Sequence, residues 1–141
     1  MQHRTRLAGS GDEEGIEKIA AAVAGVAYGD PRDPGNLMGP VVSKKQQERV
    51  LAYIEKGKQE GARVVLGGGI PAHLEKGYFI EPTLLADVDP DSVVAQEEIF
   101  GPVLCVIPYE DEADAIRIAN NSIYGLSGAI WSDRTSVVEG K

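Results

Sequence analysis

One cysteine and two histidines are all the thiol and imidazole metal ligands that 141 residues contain. A single thiol excludes an internal disulfide. With His3 and His73 far apart in sequence, it also argues against a Cys/His zinc site, so no metal is expected. No apolar run approaches the roughly 20 residues that a membrane-crossing helix needs, and no membrane partner is expected. Arg4 and Arg6 near the N-terminus have no hydrophobic stretch behind them, which excludes a secretory signal. Basic residues number 14 against 22 acidic ones, for a net charge of −8. That balance disfavours a nucleic-acid or anionic-lipid surface. A cytoplasmic setting fits these absences. The remainder, 43% hydrophobic and 26% charged, is ordinary for one domain with a modest core.

Residues 1–11 have neither helical nor strand period and end in Gly9-Ser10-Gly11. They read as a disordered leader or linker. Gly9-x-Gly11 does not qualify as a dinucleotide loop, because the third glycine is misplaced and no strand is expected before it. From Asp12, a candidate N-cap, Ile16, Ile19, Val23 and Val26 form one helical stripe, which Tyr28-Gly29-Asp30-Pro31 stops. Residues 30–42 read as a surface loop. Ser43 and Gln46 form a capping-box pair opening a second helix, with Val50, Ile54 and Gly57 inward and Gly61 as the stop. A short strand over 62–66 leads to the turn Gly67-Gly68-Gly69, which lacks the Gly-Lys-Ser/Thr of a phosphate loop. Pro82 interrupts two extended pieces, 78–80 and 83–86, which suit an edge or connector rather than a central strand. Asp87, Asp89 and Asp91 lack the Gly and Glu of a calcium loop. Val103–Ile107 reads as a buried strand, Asp111 caps a helix ending at Asn120-Asn121, and Leu126–Trp131 reads as a strand, together a parallel crossover unit. Cys105, in the middle of an apolar run with nothing basic near it in sequence, reads as a core residue and not as a nucleophile.

The stretch most open to a functional reading is Gln96-Glu97-Glu98-Ile99-Phe100-Gly101-Pro102-Val103. Acidic residues and an aromatic beside a Gly-Pro turn at the mouth of a strand suit a ligand edge. A carboxylate can accept two hydrogen bonds from a diol such as a ribose, and a Phe can cover a flat ring. The same residues also suit a turn whose Glu side chains face water and whose Phe plugs the core. Gln46 and Arg49, three apart near a helix N-terminus, read by themselves as solvated surface.

Together with Gly77-Tyr78-Phe79-Ile80-Glu81-Pro82-Thr83 upstream and Ala119-Asn120-Asn121-Ser122-Ile123-Tyr124-Gly125-Leu126 downstream, this stretch closely resembles the NAD(P)-dependent aldehyde dehydrogenase superfamily. The resemblance runs from about Gly15 to Asp133 and covers only a fraction of a family member. It implies a fold of class α/β: a three-layer unit with a mostly parallel sheet and flanking helices, part of the catalytic domain. Residues 12–133 would be that partial domain, and 134–141 a tail of unassigned origin.

The resemblance further implies a cofactor wall. Glu98 would accept hydrogen bonds from the nicotinamide-ribose hydroxyls of NAD or NADP, Phe100 would pack beside that end, and Gln46 with Arg49 would meet the adenosine end. Arg49 stands where the family usually has Lys, which keeps the charge and changes the hydrogen-bonding geometry. The family's nucleophilic cysteine and main cofactor domain lie upstream of the resembling stretch. The segment alone is therefore expected to oxidise no aldehyde and to bind the cofactor weakly or not at all. Nicotinamide cofactor and aldehyde are the partners implied for the parent enzyme. A homo-oligomer is expected from the sheet edges left exposed. The alternative is a non-catalytic α/β binding or self-association scaffold.

Overall fold

The structure, a computed structural model, describes residues 3–8, 13–74, 76–125 and 128–129. In chain order its elements are β1 (His3–Ala8), α1 (Glu13–Ala24), α2 (Lys44–Gln59), β2 (Arg63–Leu66), β3 (Thr83–Ala86), α3 (Val93–Gln96), β4 (Val103–Tyr109) and α4 (Glu112–Asn120). The four strands form one sheet in the order β1-β4-β3-β2. β4 runs parallel to both β1 and β3, and only the β2–β3 pairing is antiparallel.

Period-two alternation along the central strands sorts their side chains onto two faces. Val103, Cys105 and Ile107 of β4 join Leu85 of β3 in a core shared with Val50 and Ile54 of α2, Val94 and Ala95 of α3, and Ile118 of α4. On the opposite face Leu84, Ala86 and Val106 pack with Ile16 of α1. Helices thus cover both faces, which is the three-layer arrangement expected for the family.

Several elements follow from their caps. Ser43 Oγ accepts the Gln46 N–H at 3.2 Å and starts α2; Gly61, at φ +96°, takes the left-handed backbone just past its end. Asp111 caps α4 by accepting the Asp114 N–H at 2.8 Å. The expected Asp12 cap and the tail 134–141 lie outside the described residues, as does the strand expected over Leu126–Trp131 except for Gly128 and Ala129, which belong to no strand.

Three sequence expectations are corrected. Residues 3–8, read as lacking a strand, form β1 along β4, pairing His3 with Leu104 through Ala8 with Tyr109. At a sheet edge the backbone ladder supplies the order, so the polar run His3-Arg4-Thr5-Arg6 carries no apolar alternation to announce it. Thr83–Ala86, read as an edge or connector, is interior and fully buried. Pro82 stands just before the ladder, where its missing N–H breaks no pairing. The one polar residue of β3, Thr83, donates its hydroxyl to Glu81 O and accepts the Gly68 N–H. Finally, β4 runs through Pro108 to Tyr109, since Pro108 falls beyond the last β3 pairing, Leu85 with Cys105.

Candidate functional site

Between α3 and β4, residues 97–102 form a strap that crosses the N-terminal half of α2. Its course is fixed at both ends. Gln96 donates its side-chain amide to Pro90 O and to Asn121 O, tying the start to the end of α4. At the other end Gly101 lies against Val50: a Cβ there would stand 2.6 Å from Val50 Cγ2. Only glycine lets the strap approach the helix so closely.

Along the strap the side chains alternate. Ile99 is buried at 1% exposure, whereas Glu98 faces outward and Phe100 is 60% exposed. The core plug is therefore Ile99 and not Phe100, against the reading that made Phe the plug. Phe100 also holds φ at +56°, a region costly for a bulky residue, by about 1–3 kcal/mol. A strained aromatic left in solvent contributes little to the fold, which makes it a candidate contact for something outside the described chain.

The structure brings all four expected site residues together. Gln46 Nε2 donates to Phe100 O at 3.0 Å and to Ile99 O at 3.3 Å. The reciprocal half of the capping box is thus absent: the Gln46 side chain reaches forward to the strap and not back to Ser43. Arg49 donates to Glu98 O at 3.0 Å. The two pairs adjoin, with the helix side chains holding the strap carbonyls. Among the described residues the Glu98 carboxylate takes no hydrogen bond or ion pair. An outward carboxylate beside an exposed ring, on a backbone pinned from behind, suits a polyol with a flat group attached.

Sequence reading missed Tyr53. Its hydroxyl donates to Glu97 Oε2 at 2.6 Å and accepts from Arg49 Nη2 at 3.1 Å, and the guanidinium carbon lies 5.2 Å from its ring centroid. Accepting the phenol's hydrogen bond, Glu97 pushes the Tyr53 pKa up; burial adds to this, and Arg49 pulls the other way. The signal available in sequence was the i, i+4 spacing of Arg49 and Tyr53 on one helix face.

Other candidates take structural places. Cys105 is fully buried, its thiol 3.7 Å from Val94 O. His73 meets Tyr28 in a tilted ring contact, centroids 5.7 Å apart. Asp87 pairs with Arg63 at 2.8 Å, Asp89 accepts the Asp91 N–H, and Asp91 accepts from Asn121. Among the described residues no group of three or more His, Cys, Asp or Glu could hold a metal, and no helix is long and apolar enough to cross a membrane.

The profile of the aldehyde dehydrogenase family matches residues 3–140. The chain belongs to the aldehyde dehydrogenase family. The match takes in β1 as well as part of the stretch read as a tail. Among curated relatives, a betaine aldehyde dehydrogenase of Rhizobium leguminosarum bv. trifolii is 48% identical over 120 residues, 84% of this chain and 25% of the relative. A 5-carboxymethyl-2-hydroxymuconate semialdehyde dehydrogenase of Escherichia coli is 47% identical over 126 residues, 86% of this chain and 27% of the relative. The crystal structure of a Mycobacterium tuberculosis aldehyde dehydrogenase complexed with NAD+ superposes with a TM-score of 0.90 at 48% identity, covering 95% of this chain and 28% of that one. This aldehyde dehydrogenase segment thus spans about a quarter of the length of the curated relatives it matches.

Proposed function

We propose that this chain supplies one wall of the NAD(P) site of an aldehyde dehydrogenase catalytic domain, in a protein that oxidises an aldehyde to a carboxylic acid. The observation that carries this reading is the strap: Glu98 turned outward with its carboxylate unengaged among the described residues, and Phe100 exposed beside it. The bound cofactor supplies the hydride acceptor. Glu98 accepts hydrogen bonds from the hydroxyls of its nicotinamide ribose, and Phe100 packs at that end. Gln46 and Arg49 contribute from behind by holding the strap carbonyls, and Arg49 gives its donors to Glu98 O and Tyr53.

The chain alone is read as inactive. Its one thiol, Cys105, is buried in the sheet core, where apolar surroundings disfavour a thiolate. A ribose held by one or two charge-assisted hydrogen bonds gains about 1.5–3 kcal/mol from each, and the cost of ordering ligand and side chains offsets part of that, so affinity falls in the millimolar range or weaker. The substrate stays open on physical grounds. Two relatives named for chemically unlike aldehydes match this segment at 48% and 47% identity, so the segment does not distinguish them. A cytoplasmic setting and self-association through β1 and β2, the edge strands among the described residues, complete the reading.

A chimaera tests it: this segment placed in the Mycobacterium tuberculosis enzyme over the superposable region. Glu98→Gln there is expected to raise KM for NAD+ about 10- to 100-fold, the equivalent of one charge-assisted bond. An unchanged KM contradicts the cofactor wall.

A further inference from the structure

The first half of the strap is held by a polar chain that the family resemblance did not assign. Arg49 Nη2 reaches both Glu98 O and the Tyr53 hydroxyl, and that hydroxyl passes its own proton toward Glu97 Oε2 at 2.6 Å. One phenol thereby serves as acceptor and donor at once, between a cation from the helix and a carboxylate on the strap. The ring beneath the guanidinium fixes its orientation. Glu97 is thus tied down immediately before Glu98, and Glu98 is tied by its carbonyl while its carboxylate has no partner among the described residues.

We propose that Tyr53 is a positioning residue: by bridging Arg49 and Glu97 it clamps the strap, so that Glu98 and Phe100 are held in one presentation toward a ribose. The inference rests on the cofactor-wall reading above and adds to it the device that orders the wall. It divides the two neighbouring acids by role. Glu97 is spent inward on the clamp, and Glu98 is kept for the ligand. Each clamp bond is solvent-exposed, so its loss should loosen the strap without unfolding the sheet beneath.

NMR relaxation on the full 141-residue chain tests this. In Tyr53→Phe, backbone order parameters at Glu98 and Phe100 should fall from about 0.85 to below about 0.6, with the methyl signals of Leu85 and Val94 unmoved. Glu97→Ala should do the same, and the double variant should be no looser than either single one. Glu97→Gln keeps an acceptor oxygen and should restore most of the order. In the chimaera, Tyr53→Phe should raise KM for NAD+ about 3- to 10-fold, part of the worth of one hydrogen bond. Order unchanged in both Tyr53→Phe and Glu97→Ala overturns the clamp, as does a Glu97→Gln as loose as Glu97→Ala. The two readings fail separately. If Glu98→Gln raises KM and the strap stays ordered without the phenol, only the clamp is wrong. If the strap loosens while Glu98→Gln leaves KM unchanged, the cofactor wall is wrong and the positioning role goes with it.

Discussion

The centre of the sheet and the strap beside it are a few residues apart in sequence and are held by different physics. Leu85 and Cys105 sit opposite each other on paired strands, fully buried, each touching apolar neighbours from several elements. The strap follows the core residues Val94 and Ala95 and precedes Val103; Ile99 anchors it in the core, while Gln46, Arg49 and Tyr53 fix the residues that face outward by hydrogen bonds at the surface. Packing of the first kind is redundant and rigid. Contacts of the second kind are worth about 1 kcal/mol each and set how a few groups are presented. Presentation can therefore change while the fold persists.

That contrast breaks first at the core. Leu85→Ala should lower stability by about 2–5 kcal/mol, read as a shift in the urea midpoint at constant slope, while the Tyr53–Glu97 contact survives at low denaturant. If the strap loosens together with the core in native buffer, the two regions are one unit.

Gly101→Ala comes next, at about 1–3 kcal/mol, because the new Cβ would meet Val50 Cγ2 at 2.6 Å and Cγ1 at 2.8 Å. Here both regions should respond: stability falls and the strap lifts. Adding Val50→Ala should make room and recover strap order. Failure to recover it would place the strain elsewhere.

A pH series sharpens the difference from the polar side. Tyr53 has its pKa raised above the ordinary tyrosine range, first by the hydrogen bond to Glu97. Its contribution is therefore complete below the unfolded pKa of about 10 and is lost as pH climbs through the raised folded value. Order at Glu98 should hold from pH 7 to about 10 and fall above that, and Tyr53→Phe should remove the step. The smallest effect belongs to the outer face of α1. Removing the exposed Lys18–Glu14 pair by Lys18→Met should change stability by less than about 0.5 kcal/mol and leave both regions alone.

How far the sequence disclosed these regions follows from the same division. Helices α2 and α4 were legible because Ser43 and Asp111 are caps with local partners. The interior strand β4 was legible as an apolar run. β1 was not, since an edge strand draws its order from a partner some 100 residues away, and a polar edge needs no apolar pattern. α3, four residues long, is too short for a helical period to show. At the site, motif wording singled out Gln46, Arg49, Glu98 and Phe100, but local pattern gave no sign that the first two reach across to the other two. Tyr53 stayed hidden because its partner Glu97 is far away in sequence, and only the fold brings a phenol on α2 against a carboxylate on the strap.

The most direct test of the central claim is a crystal structure of the chimaera with NAD+ bound. A Glu98 carboxylate oxygen is expected within about 2.7–3.2 Å of the hydroxyls of one ribose, with the Phe100 ring alongside and Arg49 still donating to the Glu98 carbonyl. A ribose held elsewhere, with Glu98 turned to water, would contradict it.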